Sequence, residues 1–145
     1  MKPSRRFRHA LKALVDLALH QATGPVTVRS IARRQAIPAP TLEQLFNQLR
    51  RKGLVQAERG PRGGYSLARP ADQVTLQSVF EIFEPGRKLP EQWPEEAAGD
   101  PAQSVWEQVE KAVRTTLEAA TLQDLVAQAR ERAGEPFRHR YTFHI

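Results

Sequence analysis

Apolar residues recur at three- and four-residue spacing along the first part of the chain. Phe7, Leu11, Leu14, Leu17 and Ala18 mark one face of a helix over residues 7–21, and Gly24-Pro25 ends it. Thr27 then caps a short second helix that turns Val28, Ile31 and Ala32 inward. Pro38 and Pro40 bracket a tight connection. A third helix starts near Pro40 or Thr41, where a first-turn proline costs little. Its apolar stripe is Leu42, Leu45, Phe46 and Leu49. Arg50, Arg51 and Lys52 in its last turn suit the helix dipole, and Gly53 suits a left-handed cap. Two short apolar runs, 54–57 and 65–68, flank Glu58-Arg59-Gly60-Pro61-Arg62-Gly63-Gly64, whose Gly and Pro density reads as a hairpin loop.

Thr75 caps a further helix through Phe83, with Val74 placed to staple onto Val79. The pattern then lapses. Residues 84–100 hold three prolines, two glycines, five acids and two bases, with Trp93 among them, a length that in a compact domain is functional or disordered. Asp100-Pro101-Ala102-Gln103 reads as a capped helix start. Ala102, Val105, Trp106, Val109, Ala112, Val113, Thr116, Leu117 and Ala120 follow on one face. Thr121 and Asp124 form a second start signal, before Leu122, Leu125, Val126 and Ala129, and Gly134 closes that helix. The expected division is 1–83, a loop at 84–100, helices over 101–133, and a basic, aromatic tail at 134–145 without a period.

Composition narrows the chemistry. The 145 residues suffice for one domain with a proper core. There is no cysteine, which excludes disulfides, thiolate nucleophiles, zinc ribbons and any cluster held by thiolates. No run reaches the ~20 apolar residues of a membrane span, and Lys12 and Asp16 interrupt any signal-peptide core, so a cytoplasmic protein that meets no membrane is expected. The net charge of +6 hides an asymmetry: residues 1–70 carry 14 Lys/Arg against three acids, whereas residues 71–145 carry 8 against 13. A basic half joined to an acidic one points the former at a polyanion.

Three helices, a Gly-rich hairpin and further helices are the order of a winged helix-turn-helix domain, mainly α with a two-stranded wing. At 100° per residue from the apolar stripe, Gln44, Asn47 and Arg51 of the third helix point outward, flanked by Glu43 and Thr41. Such side chains can reach base edges: amides to adenine, Glu to the cytosine amine, Arg to guanine or phosphate. Arg33, Arg34, Arg50, Arg51 and Lys52 are candidate phosphate contacts, and Arg59 and Arg62 stand on a hairpin that glycine lets approach a groove closely. The hairpin joins two strands, so it is no phosphate loop. The chain has no nucleophile–base pair, and its histidines, His9, His20, His139 and His144, lack metal-ligand spacing, so neither an enzyme nor a metal site is expected.

Several stretches carry a resemblance to a known family: residues 10–18, Gly24-Pro25-Val26, Ile31-Ala32-Arg33-Arg34-Gln35, Leu42-Glu43-Gln44-Leu45, residues 49–55, and above all Arg59-Gly60-Pro61-Arg62-Gly63-Gly64-Tyr65, together with Trp106. From about residue 5 to 127 the chain resembles the Rrf2 family of bacterial winged helix-turn-helix regulators. The resemblance implies a homodimer on a partly palindromic double-stranded DNA operator, with Glu43 helping to select sequence and Arg59-Gly60 entering the minor groove. It also implies a long C-terminal dimerisation helix, here with Val105, Trp106, Val109, Val113 and Leu117. Many members carry three cysteines in the loop before that helix and hold an iron–sulfur cluster. This loop has none, and Asp100 and Gln103 stand near the ligand positions, so no cofactor is expected and loop 84–100 becomes a candidate site for an effector or partner protein. Ala36 stands where the helix-turn-helix corner usually has glycine, so the turn need not use a positive φ. Pro38-Ala39-Pro40 replaces the hydroxyl residues frequent in relatives, which leaves fewer phosphate contacts there. The competing reading is a protein-partner adaptor on the same scaffold, with only non-specific DNA binding.

Overall fold

The structure, a computed structural model, describes residues 2–134. The tail expected at 134–145, with His139 and His144, lies outside the described residues from 135 onward. The described chain is mainly helical: α1 (Arg5–His20), α2 (Val28–Gln35), α3 (Ala39–Arg51), β1 (Val55–Glu58), β2 (Gly64–Leu67), α4 (Leu76–Phe83), α5 (Gln103–Ala119) and α6 (Leu122–Gly134). β1 and β2 form an antiparallel hairpin in the register Val55↔Leu67 to Glu58↔Gly64. This is the winged helix arrangement.

Local chemistry sets the helix starts. Ser4, Thr27 and Thr75 each accept a hydrogen bond from the amide three residues on, at 3.1 Å. Thr121 and Asp124 close a reciprocal box, with the Asp124 carboxylate accepting from the Thr121 amide at 2.9 Å. The start of α5 departs from expectation. Pro101 and Ala102 form a turn, Ala102 is the residue before the helix, and no side chain caps it. Asp100 instead accepts from the Ala102 amide at 2.9 Å, and Gln103 accepts from Gly99 at 2.8 Å, one residue earlier than a capping box would use.

The core gathers Leu14 and Leu17 of α1, Ile31 of α2, Leu42, Leu45, Phe46 and Leu49 of α3, Val79 and Phe80 of α4, and Leu122 and Val126 of α6. Phe7 meets Phe80 edge to face at 5.6 Å. The starts of α4 and α6 are tied together: Leu76 donates to the Ala120 carbonyl at 2.9 Å and Leu122 to that of Val74 at 2.8 Å. The 84–100 loop folds against the start of α5. The Trp106 indole donates to the Glu91 carbonyl at 2.7 Å, that of Trp93 to Ala97 at 3.1 Å, and the two rings lie 5.9 Å apart.

Helix α5 differs from the others in burying no residue fully. Trp106, Glu110, Val113 and Leu117 are half-buried, whereas Val105, Val109, Ala112 and Thr116 are exposed; Val105 is 60% and Val109 36% exposed. The single apolar face expected from the sequence is therefore divided. Of the five residues assigned there to dimerisation, Trp106, Val113 and Leu117 lie on the stripe turned to their own chain, and Val105 and Val109 lie on the stripe left open. No helix among the described residues is long and apolar enough to cross a membrane.

Candidate nucleic-acid interface

The corner between α2 and α3 turns on Ala36, which adopts φ +55°, ψ +43°. The corner does use a positive φ, which an alanine at this position had left open. The Ala36 and Ile37 amides both donate to the Ala32 carbonyl, and this helix-ending geometry needs a left-handed residue whatever its side chain. The strain is roughly 1–2 kcal/mol for a residue with a Cβ. Pro38 then precedes α3 and offers no side-chain cap, so the Ala39 and Thr41 amides keep their hydrogen-bonding capacity, whereas Pro40 has no N–H to offer.

Burial of Leu42, Leu45, Phe46 and Leu49 fixes the rotation of α3. Glu43, Gln44, Asn47, Arg50 and Arg51 are exposed on its outer side, with Lys52 exposed just beyond and Thr41 half-buried at its start. Arg33 is exposed near the end of α2. Arg59, Gly60 and Arg62 are exposed at the tip of the wing. Among the described residues the ion pairs are those of Asp16 and Glu84. Arg33, Arg50, Arg51, Lys52, Arg59 and Arg62 are in none of them.

The wing is held to α3 rather than left as a loose hairpin. The Tyr65 ring stacks on Phe46 at 4.6 Å and 29°. Tyr65 also exchanges both backbone hydrogen bonds with Val26, at 2.7 and 2.8 Å. The pairing with Val26 explains one of the wing glycines, and the closure of the hairpin on itself explains another. A Cβ on Gly64 would lie 2.6 Å from the Val26 carbonyl oxygen, and one on Gly63 only 2.3 Å from that of Glu58. Gly64 and Tyr65 thus dock the wing onto Val26 and α3, while Gly63 lets the hairpin close on itself. The sequence signal for this docking, two glycines ahead of an aromatic, pointed to the motif without revealing Phe46 as its seat.

Arg34, a candidate phosphate contact, is engaged within the fold. Its Nε and Nη2 donate to the two carboxylate oxygens of Asp16 at 2.9 and 2.7 Å, and the Gln35 amide adds a third bond at 2.9 Å. Asp16 is 1% exposed. Burial pushes its carboxyl up, but the hydrogen bonds from Arg34 and Gln35, with the charges of Arg34 and His20, outweigh that and hold it below the ordinary carboxylate range. The bond to Asp16 in turn raises Arg34. The guanidinium therefore locks α2 to α1, and its charge is already balanced. A lone Asp on the inner side of an amphipathic helix was the signal for this pair.

Asp100 and Gln103, at the ligand positions suggested by the resemblance, are spent on the loop's own backbone as described above. Among the described residues no group of three or more His, Cys, Asp or Glu is placed to hold a metal ion.

Comparison with known proteins follows the same lines. The family described as "Rrf2: Iron-dependent Transcriptional regulator" matches residues 3–128. The Synechocystis protein slr0846 is 39% identical over 133 residues, 90% of each chain. The HTH-type transcriptional regulator IscR of Cereibacter sphaeroides is 51% identical over 86 residues, 58% of this chain and 56% of that one. Among solved structures, CymR, the global cysteine regulator of B. subtilis, superposes with a TM-score of 0.79 at 32% identity, covering 88% of this chain and 98% of that one.

Proposed function

The chain belongs to the Rrf2 family, and from that premise we propose that it is a cytoplasmic transcriptional regulator that binds a partly palindromic DNA operator as a homodimer and represses by occupying it. The observation that carries this reading is the outer face of α3 with the wing. Six cations that take part in none of the described residues' ion pairs, two amides and one carboxylate are presented on a surface that the Phe46–Tyr65 stack makes rigid. Gln44, Asn47 and Glu43 read base edges in the major groove, with Thr41 beside them. Arg33, Arg50, Arg51 and Lys52 contact phosphates, and the Ala39 and Thr41 amides at the uncapped start of α3 add two backbone donors. Arg59 and Arg62 enter the minor groove, where negative potential favours guanidinium and Gly60 removes bulk. Arg34 leaves this set, because Asp16 holds it.

The open stripe of α5 supplies the dimer contact through Val105 and Val109, with Ala112 and Thr116 beside them. A dimer of this kind sets its recognition helices about one DNA turn apart, ~34 Å, or a multiple of it. The regulator works without an iron–sulfur cluster. Thiolates are the usual ligands, the chain has none, and the residues near the family's ligand positions do not fit the group.

The test is an anisotropy titration on labelled DNA from upstream of the protein's own gene, at two salt concentrations, with random duplex as competitor. Tight binding that survives the competitor and weakens by about 1–3 kcal/mol with Arg59→Ala supports the reading. Binding that ignores sequence and collapses with salt overturns it in favour of the adaptor.

A further inference from the structure

A cavity of about 300 Å³ lies between α4, the first part of the 84–100 loop and α5. That volume is at the lower end for small-ligand sites. Phe80 and Pro90 are buried in its lining and Leu117 is half-buried, which makes an apolar floor. Glu81 of α4, Lys88 of the loop, and Glu110 and Arg114 of α5 also line it. None of these four charged groups is among the ion pairs of the described residues; Glu81, which accepts from the Gln77 amide at 3.0 Å, Lys88 and Arg114 are exposed, and Glu110 is half-buried.

Glu110 is the most informative of them. It stands on the inward stripe of α5, between Trp106 and Val113, where helical spacing calls for an apolar side chain. A half-buried carboxylate facing α4 is costly unless an opposite charge meets it. The cavity wall is already fixed: Arg87 donates to Glu84 at 2.7 Å and to the Lys2 carbonyl, which ties the loop to the start of α1.

We propose that this cavity binds a small zwitterion with an apolar body, the chemistry of an apolar α-amino acid. The ammonium group meets Glu110 and Glu81, the carboxylate meets Arg114 and Lys88, and the side chain lies over Phe80 and Leu117. The balance of charge makes the selection. A simple carboxylate leaves the half-buried Glu110 unmet, a simple amine forgoes Arg114 and Lys88, and a neutral molecule forgoes both. The occupant sits between the winged unit and the open helix α5. It therefore biases the angle between them, and with it the spacing of two recognition helices in a dimer. That regulatory consequence rests on the DNA-binding reading; the binding itself does not.

Isothermal titration of the full chain, without DNA, tests the proposal. The probes are L-leucine and L-phenylalanine, each with its deaminated acid (isocaproate, hydrocinnamate) and its decarboxylated amine (isoamylamine, phenethylamine). The expected result is binding of at least one amino acid, one per chain, with both of its truncated counterparts weaker by about tenfold or more. Glu110→Gln and Lys88→Gln each weaken it by a similar factor while the far-UV circular dichroism is unchanged. The proposal is overturned if no amino acid binds at millimolar concentration, if the deaminated acid binds as tightly as its parent, or if both variants bind like the wild type. Because DNA is absent, failure here leaves the operator titration untouched.

Discussion

Replacing Arg34 with methionine separates the two duties that an arginine next to a recognition helix can have. The substitution keeps the apolar stem and removes the charge. It leaves the Asp16 carboxylate, 1% exposed, with the Gln35 amide as its remaining side-chain hydrogen-bond donor and His20 Nδ1 3.5 Å away. Stripping one partner from a buried ion pair costs roughly 3–5 kcal/mol. The Arg34 side chain is 35% exposed, so water reaches the gap, and the expected loss falls to about 2–3 kcal/mol. Urea unfolding at fixed protein concentration measures it. Pairing Arg34→Met with Asp16→Leu should recover most of the loss, since the uncompensated charge is then gone. Salt dependence supplies the second reading. The pair is neutral as a unit, so the slope of log affinity against log salt should not change, whereas a phosphate contact would remove about 0.9 from it. A loss of stability below about 1 kcal/mol, together with a slope reduced by about one, would refute the structural role and return Arg34 to the phosphate set.

The same pair sets an acid limit: the Asp16 carboxyl is held below its ordinary value, so its contribution is complete above about pH 4 and disappears as pH falls through the lowered value; pH-dependent urea midpoints of wild type and Asp16→Asn should converge in acid. Ala36→Gly relieves the left-handed strain and, after the entropy glycine adds to the unfolded chain, should stabilise by about 0.5–1 kcal/mol in the same assay. Gly64→Ala drives a Cβ into the Val26 carbonyl, so it should detach the wing, broaden the amide resonances of β1 and β2 and weaken DNA binding while α1 to α3 stay folded. Val105→Glu with Val109→Glu should yield a folded monomer by light scattering and reduce operator affinity by about tenfold or more.

Much of this molecule was legible in its sequence because its signals are local. Thr27, Thr75 and Thr121 marked their helices, since a cap needs only its own next turn. The α3 stripe settled which residues face outward for the same reason. What escaped was tertiary. Nothing near Ala36 announces a left-handed residue, because the demand comes from two amides sharing one carbonyl at the corner. The Asp16–Arg34 fork spans 18 residues of sequence. Periodicity gave α5 one broad apolar face, whereas packing against α4 and the loop consumes Trp106 and Leu117 and leaves Val105 and Val109 open. The Phe46 seat of Tyr65 lies on an element that its own pattern explained fully as core.

The central claim is that two copies of this chain read a specific DNA sequence through α3 and the wing. Its most direct test is repeated selection from a random duplex pool on the purified protein, followed by sequencing. The account predicts a two-fold symmetric motif whose half-site centres lie about one helical turn apart, ~34 Å, or a multiple of it, and which is degraded at one position per half-site by Glu43→Ala. A pool that emerges no different from the one that entered would contradict it.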